Sequence, residues 1–130
     1  MQRRFPILPF ILLMLVFLCS KKAESHQPEQ RHIKNIAPKV TFIELGSVNC
    51  IPCKQMQPVM KAIEEKYLEQ VKVVFYDVWT EAGRPYAQQY KIRVIPTQVF
   101  LDENGKEFFR HEGFFPQVGI EKLLKEKGIQ

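Results

Sequence analysis

Residues 40–54 read Val40-Thr41-Phe42-Ile43-Glu44-Leu45-Gly46-Ser47-Val48-Asn49-Cys50-Ile51-Pro52-Cys53-Lys54. The first six are rich in β-branched and aromatic residues and predict a buried strand. Glu44 conflicts with that apolar setting: it is either a buried carboxyl or a strand residue turned to solvent. Gly46 to Asn49 predicts a loop. A helix follows over about Pro52–Tyr67, where Met56, Val59, Met60, Ile63 and Tyr67 recur at helical spacing. Pro52 falls in the first turn, where no backbone bond needs its missing N–H. Pro58 falls inside the helix and is expected to kink it.

The same reading extends toward the C-terminus. Val71–Val78 predicts a second strand, and a short helix is expected near Arg84–Tyr90. Thr97–Leu101 predicts a third strand. Asp102-Glu103-Asn104-Gly105-Lys106 predicts a hairpin connection, with Glu107–His111 returning antiparallel. After Gly113, a terminal helix is expected over about Gln117–Lys127, with Val118, Ile120, Leu123 and Leu124 apolar. Early strand–helix alternation implies a parallel portion, and the late hairpin adds an antiparallel edge. The expectation is an α/β fold with a mixed central sheet and helices on both faces.

Toward the N-terminus the character of the chain changes. Arg3 and Arg4 precede an apolar run, unbroken from Phe10 to Cys19. This has the layout of a signal peptide and is short for a spanning helix, which needs roughly 20 apolar residues. Residues 1–19 are therefore expected to be a signal peptide or membrane anchor. Cys19, after Val16-Phe17-Leu18, is a possible lipidation site, although Leu18 is larger than a lipobox prefers. Residues 20–38 are polar and predict a flexible linker; His26 and His32 are read as solvated. Residues 39–130 form the candidate domain. The net charge of +5 is carried mainly by the leader. Residues 1–38 hold six Lys/Arg against two Asp/Glu, and residues 39–130 hold thirteen against twelve. A nearly neutral domain argues against a phosphate-binding face and nucleic-acid partners.

The three cysteines are too few for a disulfide scaffold. Thiol–disulfide exchange needs one thiolate to attack and a second thiol to release the mixed disulfide. Two cysteines three positions apart at a helix start supply both. Cys50 lies ahead of the helix, where free backbone N–H groups favour a thiolate. Cys53 lies one turn in, is expected to be more buried and suits the resolving role. Half of a zinc site and a structural disulfide remain alternatives for the pair. Structural zinc needs about four ligands, and His111 is the one histidine in the candidate domain. Two thiolates could also hold a soft metal ion.

Over residues 39–130 the sequence resembles the thioredoxin family. Cys50-Ile51-Pro52-Cys53-Lys54 opens a helix, with Pro58 five residues after the second cysteine. Val94-Ile95-Pro96-Thr97 is similar to the family's cis-proline segment. Phe100–Lys106 is similar to its hairpin, and Gly113 to the glycine after it. The resemblance implies a thioredoxin-like fold and a redox-active Cys50–Cys53 disulfide, with no other cofactor and no metal. It implies that Pro96 is cis and faces the cysteine pair, and that Ile95 pairs with an extended substrate segment; Ile51 and Pro52 complete the expected substrate-binding set. It also implies that Glu44, six residues before Cys50, is a buried carboxyl assisting proton transfer at Cys53.

Four departures narrow the expectation. Asn49 stands where thioredoxins usually have tryptophan, and Ile51-Pro52 replaces Gly-Pro. Phe75 stands where the family commonly pairs a lysine with the buried carboxylate. The family's extra N-terminal strand and helix have little room before Val40. The sole tryptophan, Trp79, is expected to serve packing. Together with the leader, these features fit a monomeric, periplasmic or extracytoplasmic dithiol reductase tethered to the membrane, with protein disulfides as substrates and a membrane dithiol carrier as electron donor. A disulfide oxidase or isomerase in the same compartment, or a thiol-based metal carrier, is the alternative.

Overall fold

In the computed structural model, described for residues 37–130, the elements follow in the order β1 (Val40–Gly46), α1 (Ile51–Lys66), β2 (Val71–Asp77), α2 (Arg84–Gln89), β3 (Thr97–Asp102), β4 (Glu107–Glu112) and α3 (Gln117–Glu126). The boundary expected at Cys19, the linker up to residue 36, His26 and His32 lie outside the described residues. Among those described, no helix is long and apolar enough to cross a membrane.

The sheet has the order β2-β1-β3-β4. β1 runs parallel to β2 and antiparallel to β3, and β3 is antiparallel to β4. β1 is therefore a central strand. It is covered on both faces, which is why it reads as a nearly continuous apolar run rather than an alternating one.

Residues of β1 alternate between two cores, as the pleat requires. Val40 and Phe42 face the layer built by α1 and α3, where they meet Met56, Ile63, Phe100, Ile120 and Leu124. Ile43 and Leu45 face the other side, where Val78 and Val99 are joined by Tyr86, Ala87 and Tyr90 of the α2 region. The result is a three-layer α/β/α arrangement with helices on both faces of the sheet. Phe42 and Phe100 stack across β1 and β3 with ring centroids 4.7 Å apart and no exposed surface. Each such ring contributes about 1.5–3 kcal/mol by leaving water.

α1 continues through Pro58 to Lys66. The hairpin between β3 and β4 closes on Asp102, whose carboxylate accepts from the N–H groups of Asn104 and Lys106. Gly105 supplies the left-handed residue this turn needs, at φ 75°.

The cysteine site at the end of the sheet

The register brings four residues into one row at the C-terminal end of β1. Gly46 pairs with Asp77 on one side. One step beyond the Leu45–Thr97 pair, Pro96 stands on the other. Pro96 in turn accepts a hydrogen bond from Gly113 N at 2.8 Å. The Ile95–Pro96 peptide is cis. Val78 N donates to Gly46 O at 2.9 Å, which extends the β1–β2 ladder past the last paired residues.

From this row the chain turns into α1 through a tightly bonded loop. Cys50 N donates to Ser47 O, and Asn49 N donates to Ser47 Oγ. Asp77 holds the same loop from β2. Its carboxylate accepts from Val48 N at 3.2 Å and Trp79 N at 3.0 Å. The Val48 N–H, then that of Trp79 and the Ser47 hydroxyl, hold the carboxyl below its ordinary range by favouring its charge.

Cys50 is the N-cap of α1, and Cys53 N donates to its Sγ at 3.4 Å. Ile51 and Pro52 fill the first helical turn. The two cysteines are joined as a disulfide, with Cα atoms 5.2 Å apart. Cys53 is wholly buried, whereas Cys50 keeps 9% of its surface, so the sulfur ahead of the helix is the accessible one. A Cβ added to Gly46 would lie 3.1 Å from Cys53 Sγ. Glycine at this position lets the sheet approach the buried sulfur closely, and a larger residue would require Cys53 to shift by a few tenths of an ångström.

Glu44 is fully buried on the α1 side of the sheet, two residues before Gly46. The solvent-facing alternative is thereby removed. Phe75 and Gln98 are its lateral partners on β2 and β3. Gln98 Nε2 donates to Glu44 Oε2 at 3.0 Å. Burial pushes the carboxyl up from 4.5 to about 8, and the Gln98 bond opposes that shift only in part.

Trp79 departs from the packing role expected of it. It is 58% exposed because it follows the end of β2, beyond the reach of both cores. With Val78, Ala87, Ile92, Arg93, Val94 and Ile95 it lines an open groove of about 420 Å³. Ile51 is exposed as well. Among the described residues, no three His, Cys, Asp or Glu side chains come together as a metal-ligand set. Gln98, Asp77 and Gly46 were not anticipated from the sequence as parts of the site.

A cap-position cysteine disulfide-bonded to a buried one, on a mixed sheet flanked by helices, defines a thiol–disulfide redox protein. Comparisons with known proteins agree. A family model described as thioredoxin-like domain matches residues 27–128. The SPbeta prophage-derived thioredoxin-like protein YosR of Bacillus subtilis is 32% identical over 85 residues, covering 65% of this chain and 95% of that protein. Thioredoxin of Chlamydia trachomatis is 30% identical over 98 residues, covering 75% and 92%. The crystal structure of the germline-specific thioredoxin Deadhead from Drosophila melanogaster superposes with a TM-score of 0.59 at 25% identity, covering 68% of this chain and 80% of that one. The chain belongs to the thioredoxin family and is a thiol–disulfide oxidoreductase.

Proposed function

We propose that this protein is a protein-disulfide reductase working outside the cytoplasm. The observation that carries the redox reading is the asymmetry of the cysteine pair: Cys50 at the cap and partly accessible, Cys53 wholly buried beside Gly46. In the reduced protein, Cys50 thiolate attacks a substrate disulfide and displaces one substrate sulfur as thiolate. Glu44 takes the proton of the Cys53 thiol. Cys53 sulfur then attacks Cys50 sulfur, forming the Cys50–Cys53 disulfide and releasing the second substrate sulfur. Two electrons pass to the substrate, and each released thiolate takes up a proton. Burial keeps the Glu44 carboxyl near neutrality in its proton affinity, which suits general acid–base work.

The groove beside Ile95, with exposed Ile51 and Trp79 nearby in sequence to the site elements, supports docking of an extended apolar substrate segment along Ile95 and Pro96. The N-terminal sequence supports export, with tethering through residues 1–19 or a lipid on Cys19, and reduction by a membrane dithiol carrier. Insulin-disulfide reduction by the full-length protein tests the enzymatic role. Turnover that is lost in Cys50→Ser, with a trapped mixed disulfide in Cys53→Ser, is the expected result; no turnover by the wild type refutes it. A potential near about −270 mV agrees with reduction, whereas one near about −120 mV makes the protein an oxidase. Fractionation and mass spectrometry of the mature N-terminus test the location.

A further inference from the structure

The Glu44–Gln98 pair is polar, buried and set in an apolar layer. Neither residue retains any exposed surface. One hydrogen bond joins them, from Gln98 Nε2 to Glu44 Oε2. Among the described residues, Glu44 Oε1 and Gln98 Oε1 have no hydrogen-bond partner. An unpartnered buried oxygen is destabilising, and two apolar residues would fill the same space without that cost. The pair is therefore hard to account for as a stabilising device, and such sites call for another role.

Among the described residues, Gln98 supplies the one hydrogen bond to the carboxyl, against the larger effect of burial. The lateral neighbour on β2 is Phe75, not a cation. The buried side chains of α1 are Cys53, Met56, Val59, Met60 and Ile63, and those of α3 are Ile120 and Leu124. On β4, His111 lies opposite Gln98, one strand further from Glu44. Its ring is stacked on Phe115 and bonded to Phe114 O. Among the described residues, the titratable groups on the elements packed over this layer are thus Cys53 of α1, once reduced, and the more distant His111 of β4.

We propose that Gln98 is the positioning residue for the resolving step: its amide holds Glu44 by Oε2 and so leaves Oε1 as the oxygen that takes the proton from Cys53. A neutral donor stabilises the carboxylate without fixing it in the ionised form, as a buried cation would. The inference rests on the proton-accepting reading of Glu44 given above.

The test uses full-length protein labelled with ¹³C and ¹⁵N. In the wild type, Gln98 side-chain amide protons should shift with the same pH midpoint as the Glu44 carboxyl carbon. Amide protons that ignore the Glu44 titration overturn the inference, and this measurement needs no variant. In Gln98→Leu, or Gln98→Met if that folds better, the Glu44 midpoint should rise by roughly one pH unit, since a hydrogen bond to the charged form is lost. Release of the mixed disulfide should then slow by up to about tenfold at neutral pH and recover at alkaline pH. A slowing that is equal at every pH marks Gln98 as merely structural and overturns the inference. Glu44→Gln separates the two levels. If it flattens the pH–rate profile while the Gln98 variants leave that profile in place, only the inference on Gln98 falls. If Glu44→Gln keeps the wild-type profile, the reading of Glu44 falls, and the inference with it.

Discussion

Replacing Glu44 by glutamine should make the oxidised protein more stable than the wild type, by a margin that grows with pH. The cause is linkage. The Glu44 carboxyl is raised to about 8 in the folded protein from an ordinary 4.5, so the native state holds a proton that the unfolded chain has released. The sign follows directly: stability from this group is fully present below about pH 4.5, declines as pH rises, and is gone above about pH 8. At ~1.4 kcal/mol per pH unit, the interval from 4.5 to about 8 corresponds to at most about 5 kcal/mol. That is comparable to the whole stability of a small domain, about 5–15 kcal/mol. Glutamine keeps the size of the side chain and has no proton to lose. The assay is urea unfolding of both oxidised full-length proteins at a series of pH values; in the disulfide form neither Cys50 nor Cys53 titrates. Subtracting the two curves cancels the other titrating groups. The difference should widen in favour of Glu44→Gln from mildly acid to mildly alkaline pH and then level off. A difference that stays flat over this range, or narrows, would show that Glu44 ionises like an exposed carboxyl, and would refute its desolvation.

Two further perturbations test the frame around the cysteines. Gly46→Ala places a methyl group 3.1 Å from Cys53 Sγ and 3.2 Å from its Cβ. It should destabilise the oxidised protein by about 1–3 kcal/mol and move the redox equilibrium with glutathione; unchanged values for both would refute the close approach. Asp77→Asn weakens the carboxylate that accepts from Val48 and Trp79. The carboxyl is held below its ordinary 3.8, so its contribution is present above that value and is lost as pH falls below it. The melting temperature of the variant should therefore fall short of the wild type at neutral pH and converge with it in strong acid, as followed by circular dichroism.

Local pattern made most of the fold legible. The stripe of Met56, Val59, Met60 and Ile63 is the buried face of α1, and the two apolar runs at 40–45 and 71–78 are adjacent parallel strands. Element ends differ from expectation by about a residue, because they depend on partners distant in sequence. β1 reaches Gly46 since Asp77 pairs with it and Val78 bonds its carbonyl. The cysteine pair was readable because its chemistry lies within one helical turn. Gln98 was not, because it is 54 residues from Glu44 and only the antiparallel register of β1 with β3 places the two side by side. Asp77 looks in sequence like any polar strand end. Its two backbone donors come from different loops, and no periodicity encodes that.

One consequence of the strand order reaches from the fold to the chemistry. β1 is central, so a carboxyl on its covered face has two lateral neighbours and no route to water. A lysine on β2 would add a charge that favours the ionised form of that carboxyl. Here β2 offers Phe75, and among the described residues the one hydrogen bond comes from β3. The preference for the neutral form then reflects burial, moderated by a single neutral amide, which brings the carboxyl to about 8. A carboxyl at about 8 exchanges its proton in the neutral to mildly alkaline range, far above an exposed glutamate.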